Sequence, residues 1–381
     1  MIKRPLIGPA HGGEYRPLWP LALGCLLPAA LAAVYFVLRT IPGAAQKVID
    51  GFAFPVRQFL SRISACVPFS IMEVLYVLFG LWVVAFLVRS VVLICRGRRK
   101  WRILLRRVLI LLLVALCLWS VYCWLWGFDY YGAGFVDKTS LTGRAAAPEE
   151  LEDVAAYFLE RANALAGEIQ RDENLSCSLE RKALFDDAPR VYDAIAQEFD
   201  CLNVTYYTPK PMFFSRVMSA TGFTGVYFPF TGESNINMDA PASLTAFVIA
   251  HELAHQSGIA AEQEANFVAV AACAASGITE YVYAGCLGGL IYTMNAMIDT
   301  DPEAWQRLRD QFSPELERDW LDNIEYWQGY ESAVENLSEN MYDAYLKSNG
   351  QEMGMASYGA CVDLLVEYFL PAARAGGDGR A

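Results

Sequence analysis

"VIAHELAHQSG" (Val248–Gly258) decides how this chain is read. Of the three histidines in 381 residues, two stand here four positions apart, His251 and His255, with Glu252 beside the first. On a helix that spacing sends both imidazoles off one face. Two nitrogens so placed reach one tetrahedral Zn2+ at about 2.0–2.1 Å. In this HExxH arrangement the glutamate lies over the open coordination position, where it takes a proton from zinc-bound water. The competing reading is one turn of an ordinary helix that spells the motif by chance. That helix would be largely buried, because "LTAFVIA" ahead of the motif is apolar apart from Thr245. Burying two imidazoles and a carboxylate without partners is costly, and a metal removes the cost. Ser243, after Pro241, is the expected N-cap. Gly258 is the expected left-handed stop.

A catalytic zinc needs a third protein ligand. "EQEAN" (Glu262–Asn266) follows on a second helix that starts near Ala261 and runs back antiparallel. Its first turns place Glu262 and Glu264 towards His255, and both are candidates. Glu262 is favoured because Asn266, four residues on and on the same face, is placed to hydrogen-bond a ligand histidine. A solvated acidic first turn is the plain alternative for the pair. Upstream, "TGVYFPFTGESNIN" (Thr224–Asn237) reads as short strands and turns. It offers an edge for a substrate peptide by β-augmentation; a hairpin that only covers the core fits the same residues. Downstream, "YLKSNGQEMGMASYGACVDLL" (Tyr345–Leu365) is Gly-rich and polar between two helices. Lys347, Asn349 and Tyr358 are the donors it offers to a developing oxyanion, and Tyr358 ranks first as a catalytic candidate. Its plain alternative is a buried tyrosine with an ordinary hydrogen bond.

The net charge of −12 hides two different halves. Residues 1–127 hold 15 of the 30 basic residues but only 3 of the 42 acidic ones. That basic third is also the apolar one. Three stretches, about 18–38, 67–95 and 103–126, reach the roughly 20 apolar residues that cross a hydrocarbon core. Trp119, Tyr122, Trp124 and Trp126 resemble an interfacial aromatic belt. "RGRRKWRILLRR" (Arg96–Arg107) lies between the second and third stretches. Flanked by spans, it sets topology rather than binding nucleic acid. The positive-inside rule keeps it cytoplasmic, so the amino terminus is inside and everything after about Phe128 is extracytoplasmic. A cleaved signal peptide over residues 21–33 would leave the carboxyl domain on the same side.

Residues 1–127 therefore read as a membrane domain, 128–148 as a linker, and 149–375 as an outer domain. The expected fold of the outer domain is mainly α with a small β element. Helices are expected at about 148–165, 179–198, 243–257, 262–276, 281–298, 302–311, 314–347 and 357–369. The apolar run 283–298 is Gly-interrupted and short for a span, so it reads as core, and an intramembrane site is disfavoured. The five outer cysteines cannot all pair within one chain; Cys177 and Cys201 are the candidates to pair, and no cysteine-based metal site is visible.

Three amino-terminal spans, then "FTGVYFPFTGESNIN", "HELAHQSGIAAEQEANFVA" and "YLKSNGQEMGMASYG", resemble the bacterial membrane family called domain of unknown function 3810. The resemblance covers nearly the whole chain. It implies a zincin-like domain outside the cytoplasmic membrane and no established substrate. More distantly, "HELAH" followed by "EQEAN" is similar to gluzincin peptidases, whose third zinc ligand maps onto Glu262. The gap from His255 to Glu262 is shorter than in most gluzincins, which leaves Glu262 and Glu264 both open.

The expected function is a membrane-anchored zinc metallopeptidase. His251, His255 and Glu262 or Glu264 bind Zn2+, Glu252 is the general base, and the partners are the lipid bilayer and a peptide or protein substrate. The alternative is a catalytically inactive zinc-binding envelope sensor or scaffold.

Overall fold

The computed structural model describes residues 17–97, 99–298, 300–349, 351 and 358–377. Helices Trp19–Leu38, Ile71–Arg96 and Lys100–Leu125 are long and apolar enough to cross a membrane, close to where the hydropathy pattern puts them. The first and second each pack against the third. Most of their apolar side chains face outward, Leu27, Leu81 and Val88 among them. That arrangement is costly in water and natural in hydrocarbon, where a helix satisfies its own backbone. This is a membrane protein.

Hydropathy gives no warning of what lies between the first two spans. Residues 44–64 form the helix Ala44–Val48, a wider π-turn Ile49–Ala53 and the helix Phe54–Ser64. The last turns a polar face inward: Arg57, Ser61 and Ser64 are buried. Arg57 holds Asp129 bidentately at 2.5 and 2.8 Å, and also donates to the Leu125 carbonyl. Ser61 Oγ donates to the Gly232 carbonyl at 2.7 Å.

Two glutamates then clasp the second span to the globular part. The Glu233 carboxylate accepts the N–H groups of Ile71 at 3.0 Å and Met72 at 3.1 Å. These are donors that a helix N-terminus otherwise leaves unpaired. In return, Glu73 in the span's first turn accepts the N–H groups of Phe213 at 2.9 Å and Phe214 at 2.7 Å.

Residues 128–148, expected as a linker, are packed. Phe128 is buried against Tyr35 of the first span. Phe135 enters the core of the globular part against Phe199 and Phe267. Glu367 pins Thr142 and Gly143 through their N–H groups at 3.0 and 2.8 Å.

The core of the globular part is built largely from the helices Pro148–Ala166, Thr245–Gln256, Glu262–Ala275, Thr279–Met297 and Tyr358–Gly377. The first opens as its sequence demands, with proline in its first turn and Glu150 accepting the Ala147 N–H at 3.2 Å. Thr279–Met297 is the run expected as core, and it sits at the centre. It approaches its neighbours closely through glycine: a Cβ on Gly289 would lie 2.8 Å from the Phe158 ring.

A small sheet lies beside this bundle, with strands β1 (Lys210–Pro211), β2 (Gly225–Phe228) and β3 (Glu233–Ile236). Its order is β1-β3-β2, so β2 is an edge. β3 pairs parallel with β1 and antiparallel with β2, Val226 opposite Asn235.

Four local expectations change. The helix expected over 179–198 is Arg181–Asp187 followed by 3-10 turns. Pro189 interrupts the ladder, having no N–H to give. The helix expected over 314–347 is two, Pro314–Gln328 and Ala333–Ser348, parted at Gly329. The second restarts at a capping box between Ser332 and Glu335. Ser243 is not the N-cap: it sits in a 3-10 turn, its hydroxyl buried without a partner among the described residues, and the helix starts at Thr245. Cys177 and Cys201 are both free.

Candidate metal centre

Core packing sets the rotation of the histidine helix, Thr245–Gln256. Ala246, Ile249, Ala250 and Leu253 are buried in the bundle, and His251 and His255 face a cavity of about 930 Å³. The helix ends as a glycine stop should. Gly258 takes φ +98°, its N–H bonds the His255 carbonyl at 3.0 Å, and the Ile259 N–H returns to Ala254 at 3.2 Å. This turn has a second use. The Ile259 carbonyl accepts a hydrogen bond from His255 Nδ1 at 2.7 Å. A carbonyl only accepts, so Nδ1 carries the proton and Nε2 is left as the free donor atom.

That Nε2 lies 3.1 Å from His251 Nε2. The return helix, Glu262–Ala275, brings Glu262 to the pair at 3.4 Å from His251 Nε2 and 3.7 Å from His255 Nε2. One donor atom from each of the three residues falls within 4.8 Å of the others. Two facing imidazole nitrogens and a carboxylate need a proton or a cation among them. With protons alone, burial works against a charged His255, yet the Glu262 carboxylate outweighs it and raises the imidazole to about 9. Burial likewise opposes the Glu262 charge, and the two imidazoles overcome it, holding the carboxyl well below its usual range. The set fits a divalent cation that takes nitrogen and oxygen ligands.

Glu252 is 3% exposed. Burial raises its carboxyl to about 7, with the nearby histidines offsetting part of the rise. Its Oε2 has no hydrogen-bond partner among the described residues. It is pressed against β2 at Gly225, where any Cβ would collide with the carboxylate.

Of the two glutamates left open by the sequence, the fold brings Glu262 to the histidines and turns Glu264 away. Glu264 accepts the N–H groups of Phe135 at 2.8 Å and Val136 at 3.1 Å, so it anchors the segment after the third span. Asn266 lines the cavity, but it makes no histidine hydrogen bond among the described residues, and His251 Nδ1 has no partner there. Lys347 pairs with Asp343 at 2.7 Å. Asn349 bonds the Tyr345 carbonyl at 2.9 Å. Neither lines the cavity among the described residues. The side chain of Tyr358, at the head of the last helix, lies outside the described residues.

Aromatic residues that the sequence reading did not assign to the site close it on one side. Tyr342, on the Ala333–Ser348 helix, donates its hydroxyl to Glu262 Oε1. Tyr345, one turn on, sits 2.6 Å from the Tyr122 hydroxyl and 3.0 Å from that of Tyr130. Trp126 meets the His255 ring edge-on, centroids 6.0 Å apart. Tyr342 and Tyr345 share a helix face at i, i+3, which was the available signal. The Trp119–Trp126 run read as a membrane belt turns part of that belt to the site. The cavity lining also takes Met72, Glu73, Tyr76 and Val77 from the second span and Val226 from β2.

Fold and site thus define a mostly helical membrane protein whose globular part gathers two histidines and a glutamate beside a buried second glutamate. Residues 50–366 match the family model described as protein of unknown function, DUF3810, and the chain belongs to that family. No curated protein and no solved structure matches it.

Proposed function

We propose that the protein is a membrane-anchored, zinc-dependent metallopeptidase with a zincin-like outer domain. The observation that carries this is the convergence of His251, His255 and Glu262 within 4.8 Å, with Glu252, whose Oε2 has no partner among the described residues, on the histidine helix. Zn2+ bound there supplies Lewis acidity towards a scissile carbonyl and towards water.

The rest is work for the chain's own groups. Glu252, with a carboxyl near neutrality, takes and returns a proton at its unpartnered Oε2, since a general base works best near the operating pH. The free edge of β2 receives an extended substrate peptide. Tyr342 orients Glu262, and the Ile259 carbonyl orients His255. The basic Arg96–Arg107 stretch, at the turn between the second and third spans, supports an extracytoplasmic domain by the positive-inside rule.

The test uses the full chain in nanodiscs: metal content per protein, and proteome-wide cleavage with Glu252→Gln as the comparison. One equivalent of zinc in both forms, with cleavage lost only in Glu252→Gln, is expected. No zinc in the wild type overturns the reading. Zinc bound, but biological function intact in Glu252→Gln, favours the inactive sensor or scaffold.

A further inference from the structure

The Phe54–Ser64 helix is inside out for a water-soluble surface. Its buried face is Arg57, Ser61 and Ser64, while Phe59 is 62% and Ile63 51% exposed. An amphipathic helix with its apolar face outward fits a lipid interface. The collar continues around the start of the second span. Phe69 is exposed just before it. Phe213 and Phe214 are tied to the span's first turn through Glu73, and Phe213 is 86% exposed. Val217 is exposed one turn further on. Soluble surfaces rarely gather this much contiguous apolar area. Arg62 lies exposed beside it, placed to reach headgroup phosphates while its stem stays in apolar surroundings; Arg216, also exposed, pairs with Asp239 at 3.6 Å. The collar also borders the site: Phe214 and Val217 line the cavity together with Met72, Tyr76 and Val77 of the span.

We propose that this collar is seated in the lipid bilayer, so that the cavity opens at the membrane surface and admits a polypeptide tethered in the same membrane. The seating stands on the collar's continuity with the lipid-facing spans; the tethered substrate rests on the peptidase reading. A cavity opening at the bilayer presents its metal centre to chains held against that surface and raises their local concentration over that of free peptides.

The experiment uses the full chain in phosphatidylglycerol–phosphatidylethanolamine nanodiscs. Benzoylphenylalanine replaces Phe59, Phe213, Leu81 in the span, or the exposed Lys182, one at a time, and lipid adducts are read by mass spectrometry after illumination. Adducts at 59 and 213 comparable with those at 81, and absent at 182, are expected. Adducts at 81 alone overturn the seating.

In a second arm, a lipid-anchored peptide and its soluble counterpart are offered to the wild type and to the Phe59→Glu/Phe213→Glu double variant. Loss of about tenfold on the anchored peptide, equal to about 1.4 kcal/mol, with the soluble one unchanged, is expected. Equal wild-type cleavage of both peptides overturns the tethered substrate. Cleavage of neither overturns the peptidase reading, and the adducts still decide the seating.

Discussion

Asp129→Asn removes the counter-charge of a guanidinium that water does not reach. Arg57 and Asp129 have side chains each 1% exposed. Asparagine keeps the shape and one acceptor oxygen but not the charge, leaving Arg57 with neutral partners: that oxygen, the Leu125 carbonyl and the Trp126 ring, whose centroid lies 4.9 Å away. Breaking one side of a buried pair costs about 3–5 kcal/mol. In a unit this size, each kcal/mol moves the unfolding midpoint by about 2–4 °C. The expected fall is therefore roughly 6–20 °C. Arg57→Met alone should fall by a similar amount, because it strands the carboxylate. The Arg57→Met/Asp129→Leu double variant should recover most of the loss, since a buried pair replaced by apolar groups of similar volume is often neutral. The assay is tryptophan fluorescence of the full chain in detergent during heating, with Trp126 as a local reporter. Single variants within about 2 °C of wild type, or a double variant as damaged as the sum of the singles, would refute the reasoning.

Gly225→Ala drives a methyl group into the Glu252 carboxylate; hydrolysis should fall tenfold or more, order of magnitude, with zinc content by mass spectrometry unchanged. Tyr342→Phe removes the hydroxyl on Glu262, and zinc affinity in a chelator competition should weaken by about 10–100-fold. Gly258→Ala forces an L residue to φ +98°; it should cost about 1–3 kcal/mol in thermal unfolding and weaken zinc binding through the Ile259 carbonyl. Removing metal with a chelator should lower the wild-type midpoint and leave that of His251→Ala where it is; saturation at about 100 times Kd is worth about 2.7 kcal/mol.

Elements whose signals are local were legible. The three spans announce themselves by length and hydropathy. His251, His255 and Glu252 share one helix, so a four-residue spacing is enough to group them. The glycine stop at 258 and the return at Glu262 followed from local rules too. What sequence leaves out is direction. Glu262 and Glu264 are two residues apart on a helix, about 200° around its axis, so one meets the histidines and the other meets Phe135 and Val136. Only packing decides which. Arg57 in a short amphipathic helix and Tyr342 some 80 residues beyond Glu262 join the site's surroundings through tertiary contacts that no period encodes. The segment 128–148 looked like a linker because its composition is loop-like, yet a loop whose phenylalanines enter a core is not a flexible joint.

The Glu233 clasp also bears on how the protein is made. Ile71 and Met72 lead the second span, but the carboxylate that receives their N–H groups comes 162 and 161 residues later in the chain. Because synthesis runs from the amino end, the span must enter the membrane with only its local Ser70 cap on the Glu73 N–H, and the Ile71 and Met72 N–H groups wait for the strand that carries Glu233. Assembly is therefore vectorial first and reciprocal second: lipid receives the span, and the domain folded afterwards fixes its end. An excised globular part would lack the Ile71 and Met72 N–H groups that Glu233 holds and the guanidinium that neutralises Asp129, so the membrane segment is as much a folding partner as a tether.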